Sequence, residues 1–297
     1  MRLVFTGSGW APIVEHIAAR LPAGSTIETW DRRRPITEAV ADADVLLPSN
    51  AHITPEVIAA ARKLRLIQQP AAGTEAIDRT AAAARQIPIC NAPGTNHVAV
   101  AELALYLLLA LARRIPVANR AFAERQIGVP LGFELAGKTL GIIGMGRAGS
   151  ALAERAGALG MTIEVLGRGG DRPAFFAACH AISIHCPLTP ETRHLIDAAA
   201  FAAMRPGALL INCARGGVID RDALVAALAA HRLGGVGLDV DWAEPADPGD
   251  PMYRDPRVVV LPHVAGSTEE AFARITDVVI ENLGRLQRGE PLRHRVA

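Results

Sequence analysis

Arg215 is the first residue of the sequence whose type and position point to chemistry. It follows the apolar run Ala208–Cys213, which is predicted to be a buried parallel strand, and two glycines come directly after it. Ligands of open α/β sheets bind just beyond the carboxyl ends of the strands, so Arg215 is predicted at the edge of a ligand site. A guanidinium is always charged and binds carboxylate or phosphate with two parallel hydrogen bonds. The alternative is a surface arginine that caps a loop.

Two of the nine histidines, His185 and His263, also follow predicted strands. His263 comes after the predicted strand Val258–Leu261, and Glu244 lies on the loop after another, Val236–Val240. A carboxylate beside His263 would favour the imidazolium and hold one tautomer, which hydride chemistry on a carbonyl requires. A lone histidine is more often structural than catalytic, and sequence spacing alone does not show that Glu244 and His263 touch.

A glycine-rich turn joins a predicted strand to a predicted amphipathic helix. Strand Thr139–Ile143 leads into Gly144, Gly146 and Gly149, which have the spacing of a dinucleotide-binding turn. The first glycine permits the tight turn, the second lets the backbone approach a pyrophosphate, and the third lets helix and strand pack closely. The helix N-terminus adds N–H donors and the positive end of a dipole. The alternative is a glycine-rich turn that binds nothing.

The segment after the next strand favours NADP as the cofactor, with NAD as the second choice. An NAD site has an acidic residue about 20 residues beyond the glycines, where it binds the ribose hydroxyls. This chain has Gly167 in that region, with Arg168 beside it and Arg172 just beyond. Loss of the carboxylate and gain of guanidinium groups would admit a 2′-phosphate. The alternative is that both arginines face solvent.

Composition excludes several classes of protein. A chain of 297 residues is long enough for about two domains, and 31 basic against 30 acidic residues predict no nucleic-acid partner. The four cysteines have no zinc spacing, so we expect no metal site and a reduced, cytoplasmic location. No secretory signal is recognised. The most apolar segment, Val98–Ala112, contains Glu102 and is too short to span a bilayer, so we expect no membrane partner and a helix buried on all sides.

Short strands and helices alternate in two parts of the chain. The first is residues 1–94, and the second begins at Lys138; both are typical of parallel α/β units. Between them lie an apolar helix over about His97–Arg113 and a stretch, Phe122–Phe133, for which no element is predicted.

The last helix is predicted to begin with a capping box. Ser267 and Glu270 have the spacing of that motif, and Gly289 is expected to end the helix. Its predicted buried stripe consists of Phe272, Ile275, Val279, Leu283 and Leu286.

The chain resembles the D-isomer-specific 2-hydroxyacid dehydrogenases, a family that includes glyoxylate/hydroxypyruvate reductases and phosphoglycerate dehydrogenases. The resemblance covers roughly residues 45–290, and the matching segments occur in the same order as in the family, which chance does not explain. The matching segments are NAPGTNHVAVAE, GKTLGIIGMGRAG, SIHCPLTPETRHLID, INCARGGVIDRDALVAAL, GLDV and LPHVAGST.

The resemblance implies a role for each candidate residue. Arg215, Glu244 and His263 match the catalytic arginine, acid and histidine, so His263 and not His185 is the expected acid/base. The loop Ala71, Ala72 and Gly73 matches the segment that receives the substrate carboxylate, as does Arg215. The expected cofactor-binding residues are Gly144, Gly146, Arg147, Ala148, Gly149, Arg168, Arg172, Cys186, Cys213, Ala214, Asp239 and Gly266. The family's acidic residue is missing, and the segment from Gly167 to Phe176 is shorter than is usual in the family. The resemblance therefore says least about the residues on the adenosine side of the cofactor pocket.

These observations together predict an α/β protein with two doubly wound parallel-sheet domains. A flavodoxin-like substrate domain is expected over residues 1–94 and 270–297, and a Rossmann cofactor domain over residues 95–269, with the active site in the cleft. The predicted function is hydride transfer between a nicotinamide cofactor and a small 2-oxo/2-hydroxy acid such as glyoxylate or hydroxypyruvate, in a homodimer. The alternatives are phosphoglycerate dehydrogenase activity, or a dinucleotide-sensing binding protein that resembles the corepressors built on this fold.

Overall fold

The computed structural model describes residues 1–297. The chain divides into two compact units. Unit 1 consists of Met1–Asn96 together with Ser267–Ala297, and unit 2 is His97–Gly266. No helix in either unit is long and apolar enough to span a membrane.

Unit 1 contains one five-stranded parallel sheet with helices on both faces. In chain order its strands are β1 (Arg2–Phe5), β2 (Thr26–Thr29), β3 (Val45–Leu47), β4 (Leu66–Gln68) and β5 (Ile89–Cys90). Their order across the sheet is β2-β1-β3-β4-β5, the flavodoxin-like order that was predicted. The helices are α1 (Pro12–Ala18), α2 (Ile36–Ala39), α3 (Pro55–Ala60), α4 (Arg79–Ala84) and, from the end of the chain, α11 (Glu269–Arg288).

The strands of unit 1 bury both faces because successive side chains point to opposite sides of the sheet. Val4, Leu46 and Ile67 pack on one face in a cluster that includes residues of α3 and α4. Leu3 and Phe5 belong to the cluster on the opposite face, together with residues of α1 and α11. Burial on both faces explains why the inner strands β1, β3 and β4 contain apolar runs in the sequence.

Helix α11 contributes the predicted stripe to unit 1. Phe272, Ile275, Val279 and Leu283 are buried, and Leu286 packs against them. The predicted first cap was wrong by one residue, because the side chain of Thr268, not Ser267, accepts the N–H of Ala271 at 3.1 Å. Ser267 and Thr268 are both competent caps, so the sequence alone did not separate them. Gly289 ends the helix with φ +69°, as expected.

Unit 2 contains a six-stranded parallel sheet, again with helices on both faces. Its strands are β6 (Thr139–Ile143), β7 (Thr162–Leu166), β8 (Ala181–Ile184), β9 (Ala208–Asn212), β10 (Leu233–Leu238) and β11 (Val258–Val260). The order is β11-β10-β9-β8-β6-β7, so the winding reverses between β6 and β8. The helices are α5 (His97–Ala112), α6 (Ile115–Ala123), α7 (Arg147–Ala158), α8 (Arg172–Ala178), α9 (Ala198–Ala203) and α10 (Arg221–Ala229).

Three predicted features of unit 2 differ in the structure. Helix α5 is not buried on all sides, since Tyr106 is 51% and Leu109 is 40% exposed. Strand β10 begins at Leu233 and ends at Leu238, earlier than predicted. Two glycines follow Leu233, so the first half of the strand does not form an apolar run in the sequence. Helix α6 was not predicted, and the stretch after it carries exposed apolar side chains up to Phe133.

Candidate active site

Arg215 stands on the loop that follows β9, where the sequence placed it. All five residues of β9 are buried, and Arg215 is half-buried three residues beyond its end. The guanidinium Nη1 of Arg215 donates to the carbonyl oxygen of Ala214 at 2.7 Å.

Asn212 holds this loop from inside the protein. Its side chain is fully buried, its Nδ2 donates to the Arg215 carbonyl at 2.9 Å, and its Oδ1 accepts the Ala214 N–H at 3.0 Å. A buried amide with both ends bonded to one loop fixes the direction in which that loop leaves the strand. Asn212 was not predicted as a site residue, although a polar residue inside a buried strand is a usable signal.

Glu244 and His263 form a hydrogen-bonded pair. His263 Nδ1 lies 2.7 Å from Glu244 Oε2, and the two side chains are 29% and 27% exposed. Burial raises the pKa of the Glu244 carboxyl, but the hydrogen bond and charge of His263, the backbone N–H of Asp241 and the charge of Arg215 outweigh it and hold the pKa below its usual value. The structure therefore brings together the carboxylate and imidazole that the sequence could only suggest.

The backbone of His263 is held in the left-handed region, with φ +53°. Such a conformation is uncommon for a residue other than glycine and is maintained only where the surroundings impose it. The buried carboxylate of Asp239 supplies that constraint, because Oδ1 accepts the N–H of Val264 at 2.8 Å and Oδ2 that of Ala265 at 3.0 Å. Asp239 thus shapes the loop that presents the imidazole.

The loops that carry Arg215 and Glu244 touch each other. A Cβ added at Gly216 would lie 2.2 Å from the carbonyl oxygen of Asp241, so only glycine permits this approach. Asp241 in turn orders its own loop, since its Oδ1 accepts the N–H groups of Trp242 and Ala243, and Tyr253 donates its hydroxyl to the same carboxylate. Asp241 and Tyr253 were also not predicted as site residues, because their spacing in the sequence does not indicate that they interact.

The glycine-rich turn between β6 and α7 has the form that a dinucleotide needs. Gly144 has φ +97°, and a Cβ there would lie 2.5 Å from the backbone nitrogen of Cys186. A Cβ at Gly149 would lie 2.3 Å from the carbonyl of Gly144, whereas one at Gly146 would meet nothing within 4 Å. Gly146 therefore borders open space, and α7 begins there without a side-chain cap. The turn fits a pyrophosphate, which the N–H groups at Arg147 and Ala148 would bind.

Cys186, Cys213 and Ala214, predicted near the nicotinamide, lie at the same sheet edge. Cys186 follows β8 beside the glycine-rich turn, Cys213 and Ala214 follow β9, and all three are at most 9% exposed. Burial raises the pKa of the Cys213 thiol, so the thiol stays protonated and behaves as a small apolar side chain. Gly266, also predicted, ends the loop that begins at His263 and is the last residue of unit 2.

His185 lies beside the glycine-rich turn but differs from His263. Its Nε2 is 2.8 Å from the hydroxyl oxygen of the buried Ser183, and burial lowers its pKa to about 4. A histidine with that pKa is neutral at physiological pH, which suits a structural role and not proton donation.

The two arginines predicted for the adenosine side, Arg168 and Arg172, have different surroundings. Arg172 begins α8, donates to the carbonyl oxygen of Leu195 and lies 3.8 Å from Asp197, so its guanidinium is engaged within the protein. Arg168 is exposed. The pKa of the Glu191 carboxyl is lowered, mainly by its hydrogen bond with the Thr189 side chain and to a smaller extent by the charge of Arg168. No Cβ contact exists within 4 Å at Gly167, which leaves space at the end of β7.

Ala71, Ala72 and Gly73 belong to unit 1, on the loop after β4. They are intermediate or exposed, and their carbonyl groups are all hydrogen bonded within unit 1. Their role as the segment that receives a carboxylate stays a prediction. No cluster of three or more His, Cys, Asp or Glu side chains in the chain has the geometry to hold a metal ion.

A glycine-rich turn of the dinucleotide-binding type and an Arg–Glu–His set thus lie on one edge of the parallel sheet of unit 2, as expected for the family that the sequence resembles. Comparison with known proteins agrees: the profile of the family "D-isomer specific 2-hydroxyacid dehydrogenase, NAD binding domain" matches residues 105–265. The chain belongs to this family, and its cofactor is a nicotinamide dinucleotide.

Individual relatives carry more than one activity in their names. The chain is 37% identical over 278 residues to a glyoxylate reductase of Korarchaeum cryptofilum, covering 87% of this chain and 84% of that protein. It is 36% identical over 267 residues to a D-3-phosphoglycerate dehydrogenase of Archaeoglobus fulgidus, covering 85% of this chain and 51% of the relative. The chain therefore spans about half the length of such phosphoglycerate dehydrogenases.

A solved structure confirms the fold. The TT0316 protein of Thermus thermophilus superimposes with a TM-score of 0.89 at 33% identity, and the match covers 100% of both chains. The two doubly wound parallel sheets predicted from the sequence are thus also those of this relative.

Proposed function

We propose that the protein is a 2-oxoacid reductase, which transfers hydride between a nicotinamide cofactor and a small 2-oxo acid such as glyoxylate or hydroxypyruvate. The observation that carries the proposal is the 2.7 Å bond between His263 and Glu244 at the sheet edge where Arg215 also lies. A carboxylate-bound imidazole beside a guanidinium suits a substrate that carries both a carboxylate and a carbonyl group.

Each side chain has a distinct task in this reaction. The bound cofactor supplies or accepts the hydride at the substrate carbon. Glu244 occupies Nδ1 of His263, so Nε2 is the atom that gives the carbonyl oxygen its proton during reduction and takes it back during oxidation. Arg215 binds the substrate carboxylate and polarises the carbonyl, and Asn212 and Asp239 hold the two loops.

A steady-state assay with a panel of 2-oxo acids tests the function. We expect NAD(P)H oxidation with glyoxylate or hydroxypyruvate, and almost none in a folded His263→Ala variant that still binds cofactor. No turnover with any 2-oxo acid, in a wild-type protein that binds cofactor, would refute the proposal and favour a dinucleotide-sensing binding protein.

Phosphoglycerate dehydrogenase activity is the second candidate, because relatives of that name are 36% identical to the chain. It requires the same hydride chemistry on a phosphorylated 2-hydroxy acid. Oxidation of 3-phosphoglycerate with a kcat/KM above that for glycolate would favour this candidate.

We further propose that the cofactor is NADPH, with NADH as the second choice. Gly167 places no carboxylate at the end of β7 to repel a 2′-phosphate, and the Arg168 side chain is exposed, whereas the Arg172 guanidinium donates to the carbonyl oxygen of Leu195. A charge-assisted bond to phosphate contributes about 1.5–3 kcal/mol, which corresponds to a preference of roughly tenfold or more.

Two arginine variants separate this cofactor preference from general stability. We expect Arg168→Ala to lower kcat/KM for NADPH about tenfold and leave that for NADH unchanged. Arg172→Ala is the matched control, and we expect it to retain the preference and lose some stability. Equal efficiency with both cofactors in the wild type would refute the preference.

We also propose a homodimer that covers the apolar segment from the last turn of α6 to Leu131. Phe122, Ile127 and Leu131 are 84%, 97% and 87% exposed, which is unusual for three large apolar side chains so close in sequence. A second copy of the chain would bury them symmetrically. We expect light scattering to give twice the chain mass for the wild type, and a smaller mass for Ile127→Asp with Leu131→Asp. A monomeric wild type would contradict this proposal.

A further inference from the structure

Asp241 is the residue at which the loops that carry Arg215 and Glu244 meet. A Cβ at Gly216 would lie 2.2 Å from its carbonyl oxygen, and its N–H donates to Glu244 Oε1 at 3.2 Å. The other oxygen of that carboxylate, Oε2, lies 2.7 Å from His263 Nδ1. Because both Glu244 oxygens are bonded, the backbone of Asp241 fixes the orientation in which the carboxylate meets the imidazole.

The side chain of Asp241 holds its own backbone in place. Oδ1 accepts the N–H of Trp242 at 2.6 Å and that of Ala243 at 3.2 Å, the local bonding with which an aspartate orders a turn. Oδ2 accepts the hydroxyl of Tyr253. The peptide that donates to Glu244 therefore cannot rotate without loss of these three bonds.

Tyr253 comes from a separate element that is itself well anchored. It lies in the 3-10 helix Pro251–Arg254, and its ring packs with that of Trp242 against the hydrophobic core of unit 2. Asp250, which caps the 3-10 helix, forms an ion pair with Arg221 of α10. The tyrosine hydroxyl is therefore presented from a fixed position in the core.

We propose that Tyr253 and Asp241 are positioning residues for the pair of Glu244 and His263. The hydroxyl holds the Asp241 carboxylate, and that carboxylate holds the peptide whose N–H orients Glu244. This inference rests on the proposed reductase function. Both residues act on the reaction through Glu244, so a weaker hold on Glu244 reduces the support that it gives to the imidazolium.

Removal of a single hydroxyl group tests this role. Tyr253→Phe loses the bond to the carboxylate and keeps the ring that packs against the core. We expect the alkaline limb of the reductive kcat/KM profile to move to lower pH by about half a unit, as for one weakened hydrogen bond. The charges of Arg215 and Asp239 also act on the pair of Glu244 and His263, and both are unchanged in this variant.

A second measurement does not depend on turnover. Burial raises the pKa of the Glu244 carboxyl, whereas the bond with His263 and, to a smaller extent, the N–H of Asp241 lower it. A less firmly held Asp241 peptide should therefore raise that pKa in Tyr253→Phe. Carbon-13 NMR of the Glu244 carboxyl, assigned with Glu244→Gln, makes this measurement on the protein without substrate.

Two variants of Asp241 distinguish position from charge. Asp241→Asn keeps an oxygen for the turn and an amide for the Tyr253 hydroxyl, so we expect the wild-type pH profile. Asp241→Ala loses both, and we expect a shift at least as large as that of Tyr253→Phe, which the double variant should not increase. Tyr106→Phe, at the other tyrosine of the chain, is the matched control and should change nothing, because Tyr106 is exposed on α5.

The outcomes separate this inference from the proposed function. An active wild type whose pH profile and Glu244 titration are the same in Tyr253→Phe would overturn the positioning role alone, even if the variant is less stable. Equal shifts in Asp241→Asn and Asp241→Ala would also overturn it, because they would assign the effect to charge. A wild type that reduces no 2-oxo acid would overturn the function on which the inference rests, whatever the Glu244 titration shows.

Discussion

At the scale of single residues, Arg215 depends on geometry as well as on charge. Arg215→Lys keeps the positive charge but loses the planar pair of donors that binds a carboxylate in two places. We expect kcat/KM to fall by on the order of 10² or more, with unchanged cofactor affinity. Steady-state kinetics on a variant with a wild-type circular dichroism spectrum makes the measurement, and near-normal kcat/KM would remove Arg215 from the mechanism.

Glu244 gives a prediction with a defined sign in pH. Its pKa is held below the usual value by His263 among other groups, so carboxylate and imidazolium stabilise each other. In Glu244→Gln, the alkaline limb of the reductive kcat/KM profile should therefore move to lower pH. Because the carboxylate has a lowered pKa in the folded state, its contribution to stability is present above the unfolded pKa and is lost as pH falls through the folded one. The difference in unfolding free energy between wild type and Glu244→Gln should disappear at low pH, and an unchanged activity profile would contradict the pairing.

His185 gives a stability prediction of a different kind. Burial lowers its pKa to about 4, so the folded protein keeps it neutral while the unfolded chain protonates it near pH 6.5. Stability should therefore fall as pH drops from about 6.5 to 4, by at most about 3 kcal/mol from this residue. Urea unfolding of His185→Gln should show a weaker pH dependence over that range than the wild type. His52→Gln, at an exposed position, is the control and should leave the dependence unchanged.

At the scale of elements, the approach of the loops after β9 and β10 can be tested through Gly216. A Cβ at this position meets the Asp241 backbone at 2.2 Å, so Gly216→Ala must separate the loops that carry Arg215 and Glu244. We expect a loss of about 1–3 kcal/mol in stability and a fall in kcat. Gly157→Ala in α7 is the control: it meets nothing within 4 Å and should stabilise by about 0.5–1 kcal/mol. Wild-type activity in Gly216→Ala would show that this contact does not position the site.

The sequence predicted the elements whose cause is local and missed those whose cause is tertiary. Strands β6, β8 and β9 are buried on both faces and read directly as apolar runs. Strand β2 is an edge strand with three of four side chains exposed, so no apolar run announces it. The site divides in the same way: Arg215 and His263 could be placed from the ends of strands, but the supports Asn212 and Asp241 act through contacts that spacing does not reveal.

At the scale of the whole molecule, the two units differ in how many of the predicted site residues they contain. Unit 2 alone contains the glycine-rich turn, Arg215, Glu244 and His263. Unit 1 contains the loop Ala71–Gly73, and the sequence did not predict the side chains that bind its carbonyl oxygens, Gln69 and Asn91. The sequence favoured NADP from Gly167, Arg168 and Arg172 together, but it could not show that the two arginines have different surroundings, because these depend on where α8 lies.

The two-segment construction of unit 1 also has a consequence for how the chain is made. Residues of α11 complete one face of its sheet, yet about 170 residues separate them from the end of the first segment. At a synthesis rate of about 5–20 residues per second, the ribosome needs on the order of ten to thirty seconds to make that interval. During this time the early strands lack the helix that covers Phe5 and Leu47, while unit 2 is contiguous and can fold first. The nascent chain is therefore most in need of chaperone protection in the first segment of unit 1, Met1–Asn96.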